Sequence, residues 1–288
     1  MSDVGFFTFA QGDVYLRCAY ALALSLKMSQ RKHSRLSVGV TPGAEVPEKY
    51  RQAFDKVIEI PLGDDAANST WKLENEWKAF MMSPYEETIK LDADMLFCED
   101  ISHYISAARW YNFCFALNVL DYRGQVITSD ECRRVFTVNV LPNVYSAFFY
   151  FNRHEEAANF FLHAEDVFRK WQYFRLYLQA AERPHEFSTD VAYALTKTLF
   201  HYEDHWRTSS EQARLKLHLA PMFVHMKGEL QGWKADPYQA RVWPAWLPVQ
   251  LTNEGKLLIG GFYQKSPVHY HHKEFVTDEM LYQLERMA

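Results

Sequence analysis

Asp92 and Asp94 stand two residues apart in Leu91-Asp92-Ala93-Asp94, between the strand-like run Thr88–Leu91 and the apolar Met95-Leu96-Phe97. Two carboxylates so placed can hold a hard divalent cation, Mn²⁺ or Mg²⁺, against a diphosphate. A solvated loop after a strand is the other reading of the pattern. The apolar runs on both sides shorten and partly bury the loop, and a buried carboxylate needs a partner charge that a metal can supply. The combination points to chemistry on a nucleotide-activated substrate. As a loop acid, Asp94 is expected to matter little to stability.

A third ligand is sought among the histidines. His225 closes a predicted strand, Met222 to Met226, and could offer a neutral imidazole, in a carboxylate and imidazole mixture that Mn²⁺ accepts. A simply hydrogen-bonded histidine is the competing reading. His269, His271 and His272 crowd into His-Tyr-His-His-Lys near the end of the chain. They could bind metal, but no spaced partner ligands accompany them, so a solvated or packed cluster is the favoured reading. Cys18, Cys98, Cys114 and Cys132 form no CxxC pair, which indicates neither a zinc site nor a disulfide framework.

The elements that must position these residues alternate. Val4 to Ala10 reads as a buried strand, and after Gln11-Gly12 a helix capped by Asp13 runs to about Met28. Leu36 to Val40 and Val57 to Ile60 read as strands with a helical Pro47 to Phe54 between them. Trp71 to Met82 reads as helical, and Thr88 to Leu91 delivers a strand into the two acids. Tyr145 to Phe151 is a strand, and Glu155 to Trp171 and Ser188 to Phe200 are helices, the latter capped by Ser188 or Thr189. Such alternation predicts an α/β fold with a mostly parallel central sheet flanked by helices, where ligands gather beyond the carboxyl ends of the strands. The alternation stops after about Gly232, and a short helix, Asp278 to Met287, closes the chain. One catalytic domain over residues 1–235 is expected, with 236–288 a C-terminal extension that packs on it or contributes to the acceptor site.

Composition narrows the setting. The 288 residues are 48% hydrophobic and 23% charged, as in ordinary globular proteins. A formal net charge of −5 argues against a uniformly basic nucleic-acid-binding surface. Aromatics make up 16%, enough for a core and for stacking on sugars or bases. The first residues carry no signal-peptide pattern, and no stretch approaches the roughly 18 apolar residues of a membrane span. A soluble cytoplasmic protein with no membrane partner is expected. The oligomeric state is left open.

Three segments together resemble the glycogenin-like family of retaining glycosyltransferases, family 8, which has the GT-A fold. The family segment His-Phe-x-Gly-x-x-Lys-Pro-Trp is matched at His225, Gly228 and Trp233, with Gln231 in place of the lysine, Gly232 in place of the proline, and Lys227 nearby. The family opening Thr-Leu-Ala-Thr-Asn-Asp-x-Tyr is matched at Thr8, Ala10, Asp13 and Tyr15. The resemblance implies that these four, with Arg17, bind the nucleotide of a UDP-sugar and that Tyr15 stacks on the base; packing on the sheet is the alternative for Tyr15. It likewise implies that Asp92, Asp94 and His225 bind the metal, Mn²⁺ or Mg²⁺, that Asp92 and Ala93 meet the donor, and that Gly228, Gln231 and Trp233 close over its diphosphate. A family lysine upstream of the acids corresponds to Lys72 or Lys78, with Lys78 the catalytic candidate. The family's Asn-Ser-Gly and Asp-Gln correspond to Tyr145-Ser146-Ala147 and Asp190-Val191, so Ser146 and Asp190 are kept as donor-site residues while the sugar-pocket asparagine and glutamine are replaced; Asp190 is the carboxylate that positions or stabilises the reacting sugar.

The resemblance spans roughly residues 4–233, and the tail from about Gln239 has no counterpart in it. It implies transfer of a hexose or pentose, with retention, to a hydroxyl acceptor. By analogy with bacteriophage-encoded glycosyltransferases the acceptor could be a hydroxylated base in phage DNA, in a host cytoplasm. A metal-dependent nucleotidyltransferase and a non-catalytic sugar- or partner-binding module are the alternatives.

Overall fold

A computed structural model describes residues 4–30, 33–69, 72–116, 122, 134–202, 248–265, 267–270 and 273–288. The predicted strand Met222 to Met226 lies outside them, as do His225, Lys227, Gly228, Gln231, Gly232, Trp233, Cys132, His271 and His272.

The chain runs β1 (Val4–Phe9), α1 (Asp13–Ser29), β2 (Leu36–Val40), α2 (Glu48–Arg51), β3 (Lys56–Glu59), α3 (Ala79–Met82), β4 (Glu87–Leu91), β5 (Met95–Leu96), α4 (Ser102–Ala108) and β6 (Phe113–Ala116). It continues through α5 (Arg134–Val138), β7 (Tyr145–Asn152), α6 (Glu155–Arg169), α7 (Trp171–Phe174) and α8 (Thr189–Leu199). The C-terminal segment adds β8 (Val249–Leu251), β9 (Leu257–Ile259), β10 (Phe262–Tyr263), β11 (Val268–His269) and α9 (Asp278–Met287).

Six strands form the central sheet in the order β3-β2-β1-β4-β7-β6. β1, β2, β3 and β4 are parallel, while β7 runs antiparallel to both β4 and β6. The expected mixed α/β fold, a mainly parallel sheet flanked by helices, is the one observed. Period-two alternation sends neighbouring side chains to opposite faces. Phe6 therefore joins a core cluster with α1 and α9, and Phe7 joins a second with α6 and α8. Both faces of the sheet are covered, which is why its strands read as nearly continuous apolar runs.

Glycine is required at the entry to α1. Gly12 has φ 91° and is the N-cap, so the chain turns from β1 into the helix without a side chain in the left-handed region. Asp13 does not cap the helix as the sequence suggested; it lies exposed in the first turn, where its charge still suits the helix dipole. The helix expected over Trp71 to Met82 is reduced to a 3-10 turn, Glu76–Lys78, followed by α3. Asn75 is fully buried and donates to Gln11 and Asp64, and those side-chain bonds compete with a regular helix.

The described part of the C-terminal segment shares the core of the sheet. Leu251, Leu257, Ile259, Val268, Tyr270, Phe275, Met280 and Leu284 belong to the cluster that holds α1. β11 pairs antiparallel with β5, placing His269 opposite Met95. Thr277 caps α9 by accepting from Met280 N. No helix among the described residues is long and apolar enough to cross a membrane.

Candidate metal and donor site

The parallel register aligns Thr8 of β1 with Leu91 of β4, so both strands end at one edge and the chain leaves β4 directly into Asp92. Ligands in open α/β sheets bind at this end of the strands. Asp92 N donates to Ala147 O of β7 and Tyr270 N donates to Asp94 O, both at 3.0 Å, so the loop is fixed from either side by backbone.

Asp92, Asp94 and His269 each offer a ligand atom, and these lie within 4.8 Å of one another. His269 Nε2 is 3.2 Å from Asp94 Oδ1 and 3.7 Å from Asp92 Oδ2. Two carboxylate oxygens and one imidazole nitrogen suit Mn²⁺ better than Mg²⁺, which prefers oxygen ligands alone. The contact behind the imidazole fits as well. His269 Nδ1 is 2.5 Å from the Tyr145 hydroxyl, an outer partner of the sort that fixes a ligating imidazole with Nε2 turned to the metal. His269 is 5% exposed beside its partners Tyr145, Asp92 and Asp94, which rules out the solvated reading and agrees with a packed histidine or a metal ligand. Those partners sit on a different strand, where spacing along the chain cannot show them. His225, the histidine expected here, lies outside the described residues.

Each aspartate has its own ammonium. Lys90 Nζ, 1% exposed, lies 2.7 Å from Asp92 Oδ1 and also pairs with Glu76. Burial pushes Glu76 up to about 8 against the pull of Lys90, and the Asp92 charge adds to the rise. Glu76 Oε2 is buried without a hydrogen-bond partner, which leaves the ionised form poorly solvated. For Lys90 burial works downward, but Asp92 and Glu76 override it and hold the proton on. Burial thus favours the protonated form of Glu76, while Lys90 keeps its ammonium.

On the other side Lys273 pairs with Asp94 Oδ2 and lies 4.9 Å over the Tyr15 ring. Burial alone would raise the Asp94 carboxyl; Lys273 and His269 outweigh it and hold it well below the usual carboxylate range. Asp94 is 5% exposed, so it is not the surface-loop acid that the sequence suggested. Tyr15 is half-buried beside the pair, and its hydroxyl is raised chiefly by burial.

The start of β7 ties the site together. Tyr145 bonds His269, Ala147 accepts from Asp92, and Ser146 between them gives both its N–H and its hydroxyl to Asp190 Oδ1 at 2.7 Å. Ser146, with its partner Asp190, thus lies between the two β7 residues that touch His269 and Asp92. Ala93, Thr8 and Ala10 are buried at the same edge, Ala10 N donating to Gly39 O at 2.8 Å.

Two expected site residues are turned elsewhere. The Lys78 ammonium is fully buried against Gly63 O, Asn75 Oδ1 and Asp65, at 2.7, 2.8 and 3.1 Å. Lys90 is the lysine that meets Asp92. Arg17 gives its guanidinium to Val276 O and Asp278 Oδ1, at 2.7 and 2.8 Å, and so anchors the C-terminal segment. Lys72 is bonded to Ala66 O and Ala67 O. Sequence reasoning missed Lys90, Glu76, Tyr145 and Lys273. A signal existed for Lys90, since a lysine inside an apolar strand needs an acidic partner.

No protein-family model matches the chain. No curated protein matches it by sequence. Solved structures do resemble it in outline. GlyE, a glycosyltransferase of Streptococcus pneumoniae, shares 10% identity over 69% of this chain and 43% of its own, at a TM-score of 0.41. This chain spans less than half the length of GlyE. Mouse xyloside xylosyltransferase 1 shares 13% identity over 70% and 83% of the two chains, at a TM-score of 0.43. The galactosyltransferase LgtC, solved with donor and acceptor sugar analogs, shares 12% over 98% and 93%, at 0.42. All of these TM-scores lie below 0.5, where a shared outline does not carry a shared function.

Proposed function

We propose that the chain is a divalent-metal-dependent glycosyltransferase that moves a sugar from a nucleotide-sugar donor, a UDP-sugar, to a hydroxyl acceptor. The observation that carries this reading is the convergence of Asp92, Asp94 and His269 at the carboxyl ends of parallel strands. Mn²⁺ or Mg²⁺ bound there supplies neutralisation of the charge that develops on a departing diphosphate.

The chain's own residues do the rest. Asp92, Asp94 and His269 hold the cation, and Lys90 and Tyr145 keep the first and last of them oriented. Tyr15 presents its ring at the edge of the site, on the side where the end of β1 would meet the base. Asp190 is committed to two hydrogen bonds from Ser146, which suits a carboxylate that positions the sugar and supports developing positive charge better than one that attacks. Retention by front-side attack agrees with that role. The acceptor need only present a hydroxyl, which a sugar, a protein side chain or a hydroxymethylated DNA base can do.

Incubation with UDP-glucose, UDP-galactose and UDP-xylose, with and without Mn²⁺, tests the reading. Release of UDP that requires Mn²⁺ and is lost in Asp94→Asn is expected. Release of a sugar 1-phosphate instead, with the uridylyl group passed on, would assign a nucleotidyltransferase, and no turnover or UDP binding of any kind would leave a binding module.

A further inference from the structure

Lys90 and Lys273 both pair with the acids of the site, but only one of them is free to leave. Lys90 is sealed in the interior and held by two carboxyl groups. Lys273 belongs to a single 3-10 turn, Lys273–Phe275, and its side chain is 26% exposed. Its ammonium covers Asp94 Oδ2 and faces the ring of Tyr15. It therefore sits between the candidate metal ligands and the candidate base platform.

The charges of the cluster decide what this position means. Asp92 and Asp94 are balanced by Lys90 and Lys273, so a divalent cation added to the same carboxylates would leave a surplus of positive charge in a partly buried place. A diphosphate removes that surplus. Resting on the donor reading above, we propose that Lys273 is a resident counterion of Asp94 that yields the carboxylate to an incoming divalent cation and re-pairs with the phosphate oxygens of the nucleotide. Lys273 thereby makes cation and nucleoside diphosphate bind together, each weakly without the other. A lysine suits this exchange, since its ammonium is a compact charge on a flexible four-carbon stem.

A purely structural ion pair, tying the C-terminal segment to the loop, makes a different prediction. Calorimetric titration of the full chain separates the two, using MnCl₂ alone, UDP alone and UDP at saturating Mn²⁺, on wild type, Lys273→Gln and Lys273→Met. In wild type Mn²⁺ and UDP should raise each other's affinity by the same factor, as linkage requires. In either variant Mn²⁺ alone should bind about tenfold tighter, because its competitor is gone, while UDP at saturating Mn²⁺ binds about tenfold weaker. Two neutral replacements guard against one that does not fold, and the unliganded melting temperature reports folding in each. Unchanged affinities, or weaker Mn²⁺ binding in a folded variant, would overturn the exchange while leaving the donor reading intact. Wild-type protein that binds Mn²⁺ but never UDP overturns the donor reading itself.

Discussion

Asp92 and Asp94 are neighbours in sequence, yet they are held from opposite parts of the molecule. Asp92 depends on chain that comes just before it: Lys90 in the same strand and Glu76 in the preceding turn. Asp94 depends on chain that comes 179 residues later, through Lys273, and on His269 of β11. The first support is sealed beneath the sheet and belongs to the fold. The second is partly open and belongs to the C-terminal segment, so it can respond to what binds. A metal site built in this way has one fixed wall and one adjustable wall.

Removing the shared element is the most severe way to break the contrast. Asp94→Ala should lower metal-dependent turnover by about a thousandfold, the scale of several kcal/mol of charge stabilisation. It should also lower the melting temperature, because Lys273 and His269 lose the carboxylate between them; steady-state assays and thermal melts check both.

The two walls should then differ in what their lysines do for stability. Lys90→Met leaves Glu76 and Asp92 buried without their cation and should cost about 3–5 kcal/mol in urea unfolding. Lys273→Met, on the partly exposed side and with His269 still beside Asp94, should cost less, about 1–3 kcal/mol. Equal losses would erase the distinction between a fixed and an adjustable wall.

A smaller effect is expected from the support of the imidazole. Tyr145→Phe removes the partner of His269 Nδ1 and should weaken Mn²⁺ binding about tenfold, with little change in the unliganded melting temperature.

A pH dependence of opposite sign is also expected on the two sides. Glu76 is raised from 4.5 to about 8 in the folded chain, so between those values the native state holds more protons than the unfolded one. Its contribution is complete below 4.5 and is lost as pH rises toward 8. Asp94 is lowered from 3.8, so its contribution is present above that value and is lost as pH falls. Metal-free wild type should therefore lose stability from pH 5 toward 8 more steeply than Glu76→Gln, as read from urea midpoints.

How much of this was legible in the sequence follows the same division. β1, α1, β4 and α9 announce themselves because runs of apolar residues and turn residues bound them, and Asp92, Asp94, Ser146 and Asp190 were found on or beside such elements. β6 was not foreseen, since Phe113-Cys114-Phe115-Ala116 is short, does not alternate and carries no turn residue of its own. The helix expected before Met82 failed because Asn75 and Lys78 are spent on the loop at Asp64 and Asp65. His269 stood only as one of three clustered histidines, and nothing in the sequence tied Lys273 to Asp94. β11 is two residues long, and its pairing with β5 brings together parts of the chain that no local pattern links.

The convergence of Asp92, Asp94 and His269 on one cation is the claim from which the rest descends. Pulsed electron paramagnetic resonance of protein-bound Mn²⁺ tests it directly through hyperfine coupling to a directly bound imidazole nitrogen. The coupling should be present in wild type and absent in His269→Ala, and it should survive in His225→Ala. Coupling that persists without His269 and vanishes without His225 would contradict the account.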